Sequence, residues 1–281
     1  MNDQKKTGTP KDSHYARLRR AHREQSGAPA RNARVQAGAP PLPEGLVRLY
    51  GLHTVRAALD NPSRSIRRML VTRNAAQRLD IADLSSLAFP AELVEPRAID
   101  ALVGSDAVHQ GVLVEAEARA PKPFSALGDA SLVLVLDQVT DPHNVGAIMR
   151  SAVAFGADAL ITTARHSPAE SGVLAKAASG ALEHIDHIEV RNLANALEEL
   201  HTAGFHTVGL DSDGPQPLEE AFQGGKLALV LGSEGKGLRQ KTRETVRVLA
   251  RLDMPGAIRS LNVSNAAAVS LYIARRWLAA A

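Results

Sequence analysis

From residue 132 onward, short apolar segments alternate with segments of helical periodicity, and this alternation restricts the chain to a layered α/β architecture. The clearest strands are predicted at residues 132–136, 159–162 and 227–231. Continuous apolar strands separated by helices are typical of a parallel sheet that helices cover on both faces. Ligands of such sheets bind at the carboxyl ends of the strands. The second half of the chain is therefore predicted to be a parallel-sheet domain with its site at that edge.

The pattern continues to the end of the chain. Further strands are predicted at residues 187–190, 206–210 and 248–252, and helices at residues 145–155, 171–179, 193–203 and 242–246, with a final helix that continues to Trp277. Strand and helix alternate throughout, without an internal repeat, which supports the parallel sheet.

Residues 47–120 have a weaker α/β pattern and are predicted to form a separate small domain. Helices are predicted at residues 50–59, 75–87 and 98–102, and strands at residues 66–72, 92–94 and 111–116. Proline-containing residues 121–130 are predicted to link it to the larger domain, residues 131–281. An arginine cluster surrounds the first strand (Arg64, Arg67, Arg68 and Arg73). It is typical of either a phosphate-facing surface or a solvated face.

Residues 1–46 contain nine lysines and arginines against four aspartates and glutamates and few large apolar side chains. Such a segment cannot offset the entropy of ordering itself, so we predict a disordered basic tail. The tail has either a polyanionic partner or no specific partner. No apolar segment follows it as in a signal peptide, and its acidic residues argue against a mitochondrial transit peptide.

The composition excludes several classes of function. The chain has no cysteine, which removes disulfides, thiolate nucleophiles and iron–sulfur clusters. No HExxH pattern is present, and we expect no catalytic metal. The apolar runs are too short to span a bilayer, so we expect a cytoplasmic protein with no membrane partner. A hydrophobic content of 44% is sufficient for a globular core.

Three polar segments carry the candidate chemistry. The first, Asp141-Pro-His-Asn-Val-Gly, is predicted to use Asn144 as a helix cap and is followed by Arg150. The second, Gly232-Ser-Glu-Gly-Lys-Gly, places Glu234 at the tip of a strand. The third is Arg259-Ser-Leu-Asn-Val-Ser-Asn, directly before the final helix. Each alone is also compatible with an ordinary capped helix or turn, and neither a Walker loop nor a dinucleotide-binding fingerprint is present.

Together, in this order, the three segments resemble the motifs of the SpoU (TrmH) family of RNA ribose 2′-O-methyltransferases. The resemblance covers residues 47–281. The small domain, with Tyr50-Gly-Leu-His53 and His109-Gln-Gly111, is similar to the substrate-binding domain of the bacterial subfamily that methylates a guanosine in 23S ribosomal RNA. One departure is Asp253, where the family usually has proline.

The resemblance implies a parallel-sheet SPOUT methyltransferase domain with a C-terminal trefoil knot, which the general rule against threaded connections would not predict. It further implies S-adenosylmethionine as cofactor, ribosomal RNA as substrate and a homodimer. A tRNA ribose methyltransferase, or a non-catalytic protein that binds ribosomal RNA during assembly, remains an alternative. A nucleotide-dependent dehydrogenase lacks the early glycine fingerprint that it would require.

The resemblance also assigns the site residues. The expected active-site residues are Asn144, Arg150, Glu234, Ser260 and Asn262, and the expected cofactor contacts are Gly232, Leu252 and Leu261. A guanidinium rarely loses its proton, so the arginine is expected to stabilise the developing oxyanion and an adjacent phosphate. The glutamate is expected to orient the arginine or a loop hydroxyl, and the two asparagines to fix the geometry.

Overall fold

The computed structural model describes residues 42–280, so most of the predicted tail lies outside the described residues. The strands are β1 (Leu46–Tyr50), β2 (Ile66–Val71), β3 (Ala91–Leu93), β4 (Val112–Glu117), β5 (Leu132–Asp137), β6 (Ala159–Thr163), β7 (Asp186–Val190), β8 (His206–Leu210), β9 (Gln216–Pro217), β10 (Leu227–Gly232) and β11 (Val248–Arg251). The helices are α1 (Leu52–Asp60), α2 (Arg73–Arg78), α3 (Pro96–Val103), α4 (Pro142–Ala154), α5 (Gly172–Ala178), α6 (Leu193–Thr202), α7 (Gln240–Thr245) and α8 (Val263–Ala280). Short 3-10 helices lie at Leu84–Ser86, Phe124–Leu127, Ala181–Glu183 and Leu218–Glu220.

The larger sheet has seven parallel strands in the order β7-β6-β5-β10-β8-β11-β9. Its central strands are buried on both faces because successive side chains point to opposite layers. Leu134 belongs to the core cluster that includes residues of α4, α5 and α8. Val135 belongs to a second cluster that includes residues of α6. The predicted α/β fold with a parallel sheet, covered on both faces, is confirmed.

The smaller sheet has the strand order β1-β4-β2-β3 and precedes the larger one in the chain. Strands β1 and β2 pair antiparallel with β4, and β3 pairs parallel with β2. Strand β1 was not predicted, because the predicted helix began at Tyr50. Gly51, with a φ of 91°, separates that strand from α1. Glycine is the residue that adopts this conformation without strain.

Two predicted helices differ from the observed ones. Helix α4 begins at Pro142, and its N-cap is Asp141, whose Oδ1 accepts from the backbone N–H of His143 at 3.0 Å. The prediction that Asn144 caps this helix is therefore wrong. Proline is favoured at the first helical position, so the helix starts at Pro142, before Asn144. The predicted helix at residues 75–87 ends early, at Arg78. Asp80 then takes a left-handed φ of 57°, which interrupts the helical path.

The arginines around β2 are largely paired within the chain. Arg68 donates to both oxygens of Glu115 on β4, at 2.7 and 2.9 Å. Arg67 forms an exposed ion pair with Glu117. The hydrogen bond from Arg68 is the main cause that holds the pKa of Glu115 below its ordinary value. The cluster is therefore mainly a set of cross-strand ion pairs. Of the two predicted interpretations, a phosphate-facing surface or a solvated face, these pairs favour the solvated face.

Arg64 anchors the small sheet to the large one through buried ion pairs. Its side chain is 1% exposed and lies 2.9 Å from Glu170 and 2.5 Å from Glu183, both of which belong to the larger domain. Asn61 also donates to Glu183 at 2.6 Å. Burial lowers the pKa of the Arg64 guanidinium, but the hydrogen bond and charge of Glu183 and the charge of Glu170 outweigh it, so the pKa lies above its ordinary value. The guanidinium thus stays charged and holds the two sheets together.

Replacement of Arg64 by methionine is expected to lower the free energy of unfolding by about 3–5 kcal/mol. The change leaves the carboxylates of Glu170 and Glu183 buried without their shared cation. Urea-induced unfolding, followed by the fluorescence of Trp277, the single tryptophan of the chain, measures the loss.

The control is Arg67→Met, which removes the exposed ion pair with Glu117. It should change the free energy of unfolding by no more than about 1 kcal/mol, because solvent screens that pair. Equal losses in the two variants would contradict a special role for the buried guanidinium.

Candidate active site

The carboxyl ends of the two central strands, β5 and β10, hold the first two predicted motifs side by side. The strands pair in register from Leu132 with Leu227 to Asp137 with Gly232. Because neighbouring parallel strands end at the same edge, the segments that follow Asp137 and Gly232 start next to each other. This edge is therefore the candidate site.

Asn262 joins the third motif to the first by one hydrogen bond. Its Nδ2 donates to Oδ1 of Asn144 over 3.0 Å, although the two residues lie 118 positions apart. Its Oδ1 accepts from the backbone N–H of Ser264 at 2.9 Å and from the hydroxyl at 2.6 Å, which caps the start of α8. One amide therefore fixes a helix end with its oxygen and the first motif with its nitrogen.

The glycine loop, residues 232–237, is closed on its inner side and open on its outer side. A Cβ added to Gly232 would lie 2.1 Å from the carbonyl carbon of Gly237, and the N–H of Gly237 donates to the carbonyl of Ser233 at 2.9 Å. Gly235 and Gly237 have φ angles of 79° and 64°, and nothing lies within 4 Å of a Cβ position at either. Glu234 is exposed at the tip. The loop thus presents open backbone to a ligand.

A buried carboxylate at the end of β5 holds the glycine loop in place. Asp137 is fully buried and accepts from the side-chain Nε of Arg239 at 2.6 Å and from the backbone N–H of Arg239 at 3.0 Å. Hydrogen bonds between charged partners are among the stronger ones in proteins. Sequence reasoning missed this pair. The available signal was an aspartate that continues an apolar strand directly into the first motif.

The segment between β11 and α8 carries the remaining predicted residues. Leu252 is half-buried against the core, whereas Ser260 and Leu261 are exposed. Asp253, where the sequence departs from the usual family pattern, accepts from Nε of Arg251 at 2.9 Å. That arginine also donates to the carbonyl of Gly214 at 3.0 Å. The departure therefore gives this segment an ion pair at the end of β11.

Arg150 lies apart from the other predicted residues. It lines a groove of about 330 Å³ between α1 and α4, together with His53, Arg56 and Asp60. Within residues 42–280, the side chains of Arg150 and Glu234 form no hydrogen bond or ion pair with each other. The structure thus brings Asn144 and Asn262 into contact, whereas Arg150 faces the small domain.

The two small-domain motifs meet at a single glutamine. Oε1 of Gln110 accepts from the backbone N–H of Leu52 at 3.2 Å and from Nζ of Lys176, on α5, at 2.8 Å. Gln110 has a left-handed φ of 55°, and the partial burial of Lys176 lowers the pKa of its amine. The conformation of Gln110 is unfavourable for a residue with a Cβ, and these two hydrogen bonds hold it. The motifs therefore also dock the small domain onto the larger one.

Within residues 42–280, no group of three or more histidine, cysteine, aspartate or glutamate side chains is arranged to hold a metal ion. In the same part of the chain, no helix combines the length and the apolarity needed to cross a bilayer. The groups that gather at the carboxyl edge are amides, hydroxyls and open backbone. Such groups suit the recognition of an organic ligand by hydrogen bonds.

Two family models match the chain. Residues 131–272 match the SpoU rRNA Methylase family, and residues 48–122 match the family described as RNA 2′-O ribose methyltransferase substrate binding. The matches correspond to the two sheets. A 23S rRNA (guanosine-2′-O-)-methyltransferase of Ralstonia nicotianae is 39% identical over 81% of this chain and 94% of that protein. A protein of the same name from Pseudomonas putida is 36% identical over 82% of this chain and 96% of that protein.

Solved structures share the fold. The SpoU methyltransferase AviRb from Streptomyces viridochromogenes, in complex with AdoMet, has a TM-score of 0.70 and 23% identity over 83% of this chain and 90% of its own. An AdoMet-bound rRNA methyltransferase from Sinorhizobium meliloti has a TM-score of 0.68 and 23% identity over 83% of this chain and 88% of its own. The similarity extends over both sheets of this chain.

Replacement of Asn262 is expected to separate its two roles. Asn262→Ser keeps a side-chain oxygen for the cap of α8 but cannot reach Asn144, whereas Asn262→Ala loses both contacts. The alanine variant should be less stable than the serine variant by about 0.5–2 kcal/mol, the usual contribution of an N-cap. Urea unfolding followed by Trp277 fluorescence measures both.

In a double-mutant cycle, Asn144→Ala and Asn262→Ser should be coupled by about 0.5–1.5 kcal/mol, the net contribution of one hydrogen bond. Additive effects of the two substitutions would show that the bond between the asparagines does not stabilise the fold.

Proposed function

The chain belongs to the SpoU rRNA methylase family, and we propose that it transfers a methyl group from S-adenosylmethionine to the 2′-oxygen of a guanosine ribose in 23S ribosomal RNA. The observation that carries the proposal is the hydrogen bond between Asn144 and Asn262, which brings two distant motifs together beside the glycine loop. Relatives that share more than a third of their residues with this chain, over most of both lengths, have this activity in their names.

The residues at the carboxyl edge fit S-adenosylmethionine. The glycine loop has open backbone at Gly235 and Gly237, and the segment after β11 supplies apolar side chains. Gly232, Leu252 and Leu261 would hold the cofactor, mainly through backbone groups. When bound, the cofactor supplies a methyl group on a positively charged sulfur together with its own leaving group.

The chain's own residues position the ribose and stabilise charge. Asn144 and Asn262 hold each other's amides in place, so their geometry is set before RNA binds. Arg150, whose side chain lines the groove beside α1, is assigned to the phosphate next to the reacting ribose and to the oxyanion that develops there. Of the two roles expected for Glu234, we favour orientation of a loop hydroxyl such as that of Ser260, because the guanidinium faces a different groove.

Ribosomal RNA would contact the small domain as well as the carboxyl edge. The groove between α1 and α4 contains Arg150 beside His53, and Arg56, whose exposed ion pair with Asp80 is screened by solvent. An RNA phosphate could therefore contact both arginines. We assign residues 47–120 to RNA binding and residues 131–281 to methyl transfer, joined by residues 121–130. A cytoplasmic location follows from this substrate, since bacterial ribosomal RNA is made and assembled there.

We also propose the trefoil knot that is typical of the family. Its support in this chain is one close backbone approach near the carboxyl edge. A Cβ on Gly214, in the segment after β8, would lie 2.5 Å from the carbonyl carbon of Ala250 in β11. Two segments distant in the chain therefore pass closely at this edge, where a threaded chain has to pass.

A homodimer is proposed from the exposed apolar side chains of α8. Val269 is 44% exposed and Tyr272 is 55% exposed, and Ile258 and Leu261 lie exposed in the segment before the helix. Tyr272 also packs edge-on against Phe155, with ring centroids 6.0 Å apart. Apolar side chains grouped in this way mark protein interfaces.

The function is tested by transfer of labelled methyl groups from S-adenosylmethionine to purified 23S rRNA, 16S rRNA and tRNA. We expect 23S rRNA to be labelled at one guanosine ribose. Arg150→Lys should lower kcat/KM by about 10–100-fold, because it removes a forked, charge-assisted contact worth about 1.5–3 kcal/mol. The affinity for S-adenosylmethionine should not change.

The control is Arg191→Lys, which alters an exposed arginine on the loop between β7 and α6 and should leave kcat/KM unchanged. Labelling of tRNA alone would replace the proposed substrate, and binding of 23S rRNA without any labelling would favour an assembly protein. Near-full activity of Arg150→Lys would disprove forked recognition by this arginine.

Tyr272→Glu is expected to convert the dimer into a monomer, because it places a charge in the apolar surface of α8. The mass measured by sedimentation equilibrium should then fall from twice the chain mass of 29.8 kDa to that mass. The control is Leu93→Glu, which places the same charge on a side chain that is 54% exposed in the small domain, and it should leave the dimer intact. A wild-type protein that sediments as a monomer would refute the dimer.

A further inference from the structure

A second cavity, of about 220 Å³, lies against β6 and β7 on the face of the sheet that carries α4. Residues 118–122, which lead out of the small domain, form one of its walls. Val145, Met149 and Leu174 provide apolar lining. The cavity is smaller than the roughly 300–1,000 Å³ of pockets for drug-sized ligands, so it has room for one small ring system.

The polar groups of this cavity are arranged to accept hydrogen bonds. Oγ of Ser167 is buried and has no hydrogen-bond partner within residues 42–280. Glu189 is exposed at the cavity, and within the same residues its carboxylate pairs with no cation. A buried hydroxyl without a partner is unfavourable, and it can either donate or accept, whereas a carboxylate only accepts, so the cavity suits a ligand that brings hydrogen-bond donors.

The cations that line the cavity are already paired. Lys122 lies 2.6 Å from Asp186, and Arg119 donates to the carbonyl of Leu182 at 2.9 Å and contacts Glu183 at 3.3 Å. Since the carboxylate of Glu189 also lines the cavity, without a paired cation in the described residues, a phosphate or carboxylate ligand would meet net repulsion. The chemistry therefore favours a neutral ring with N–H groups.

The histidine of this cavity is neutral as well. His187 shares a hydrogen bond of 2.8 Å with the hydroxyl of Thr162. Burial, and then the charge of Arg119, lower the pKa of this imidazole below its ordinary value. At neutral pH it therefore adds no positive charge that would attract an anion.

The cavity adjoins the candidate active site through α4. Val145, in its wall, directly follows Asn144, and consecutive Cα atoms are about 3.8 Å apart. A nucleotide whose ribose lies at Asn144 and Asn262 can therefore place its base towards this cavity. Proteins commonly bind unstacked RNA bases in this manner and read their edges by hydrogen bonds.

The walls of the cavity are held in place before any ligand binds. Glu170 is fixed on one side by the ion pair with Arg64 and on the other by a hydrogen bond of 2.7 Å from the backbone N–H of Arg119. The N–H of Lys122 donates to the carbonyl of His187 at 2.7 Å, which joins the linker to β7. A preformed pocket avoids the entropy loss of ordering on binding.

We propose that this cavity receives the guanine base of the target nucleotide and that Glu189 and Ser167 read its Watson–Crick edge. Guanine has two adjacent donors on that edge, N1–H and the N2 amino group, which match the two oxygens of one carboxylate. Adenine, cytosine and uracil each place an acceptor next to their donor. The inference rests on the proposed methyl transfer to a guanosine and assigns its base specificity.

The test compares two RNA fragments that carry either guanosine or inosine at the mapped methylation position. Inosine keeps N1–H but lacks the N2 amino group. Wild-type enzyme should methylate the guanosine RNA with a kcat/KM about tenfold or more above that for inosine, as expected for a lost hydrogen bond to a charged group. Glu189→Gln should lower the guanosine value by about tenfold and bring the guanosine-to-inosine ratio close to one.

Ser167→Ala should also lower kcat/KM for the guanosine RNA, with an unchanged affinity for S-adenosylmethionine as the check on folding. The control Glu199→Gln, on the exposed face of α6, should keep the wild-type ratio. If Glu189 had a purely structural role, Glu189→Gln would lower kcat/KM for both RNAs by the same factor, and that result would overturn the proposal. An unchanged ratio in Glu189→Gln, or equal methylation of both RNAs by the wild type, would overturn it too. Absence of any transfer by the wild type would overturn the proposed function as well.

Discussion

The parallel pairing of β5 and β10 determines where the polar segments of this chain can meet. Their register ends with Asp137 beside Gly232, so both following segments leave the sheet at one point. The buried carboxylate of Asp137 then binds Arg239, which closes the glycine loop from its far side. A loop rich in glycine would otherwise sample many conformations. The ion pair and the tight contact at Gly232 leave it with one backbone path and an open outer face.

The small domain is held against this frame by interactions that tolerate little displacement. A buried guanidinium between two carboxylates is poorly solvated, so its stabilising effect depends on close geometry. Arg64 has this arrangement with Glu170 and Glu183. Gly172 adds a steric requirement, because a Cβ there would lie 2.5 Å from the carbonyl oxygen of Arg48. The two sheets are therefore held in a fixed relation to each other.

The sequence predicted the elements whose signals are local. Strand β8 has its predicted bounds because its apolar residues lie between a glycine turn and Asp211, and the other predicted strands of the large sheet agree to within one residue. The two-residue strand β9 was not predicted. Strand β1 was missed because it is short and leads directly into a helix at Gly51. The partners of Arg64 lie more than a hundred positions away, and no periodicity connects them. The proximity of Asn144 and Asn262 was likewise expected from family resemblance, since spacing alone cannot bring residues together.

Helix α4 accounts for the relative positions of the three regions assigned to RNA. Each residue turns the helix by about 100°, so Val145 points about 100° away from Asn144, and Arg150 about 240° away. These three side chains accordingly face the base cavity, the other asparagine and the groove beside α1. The base and the phosphates of a nucleotide also diverge from its ribose. A single rigid helix, packed closely on α5 at Gly146, can therefore hold all three parts of one nucleotide in fixed relation to the methyl donor.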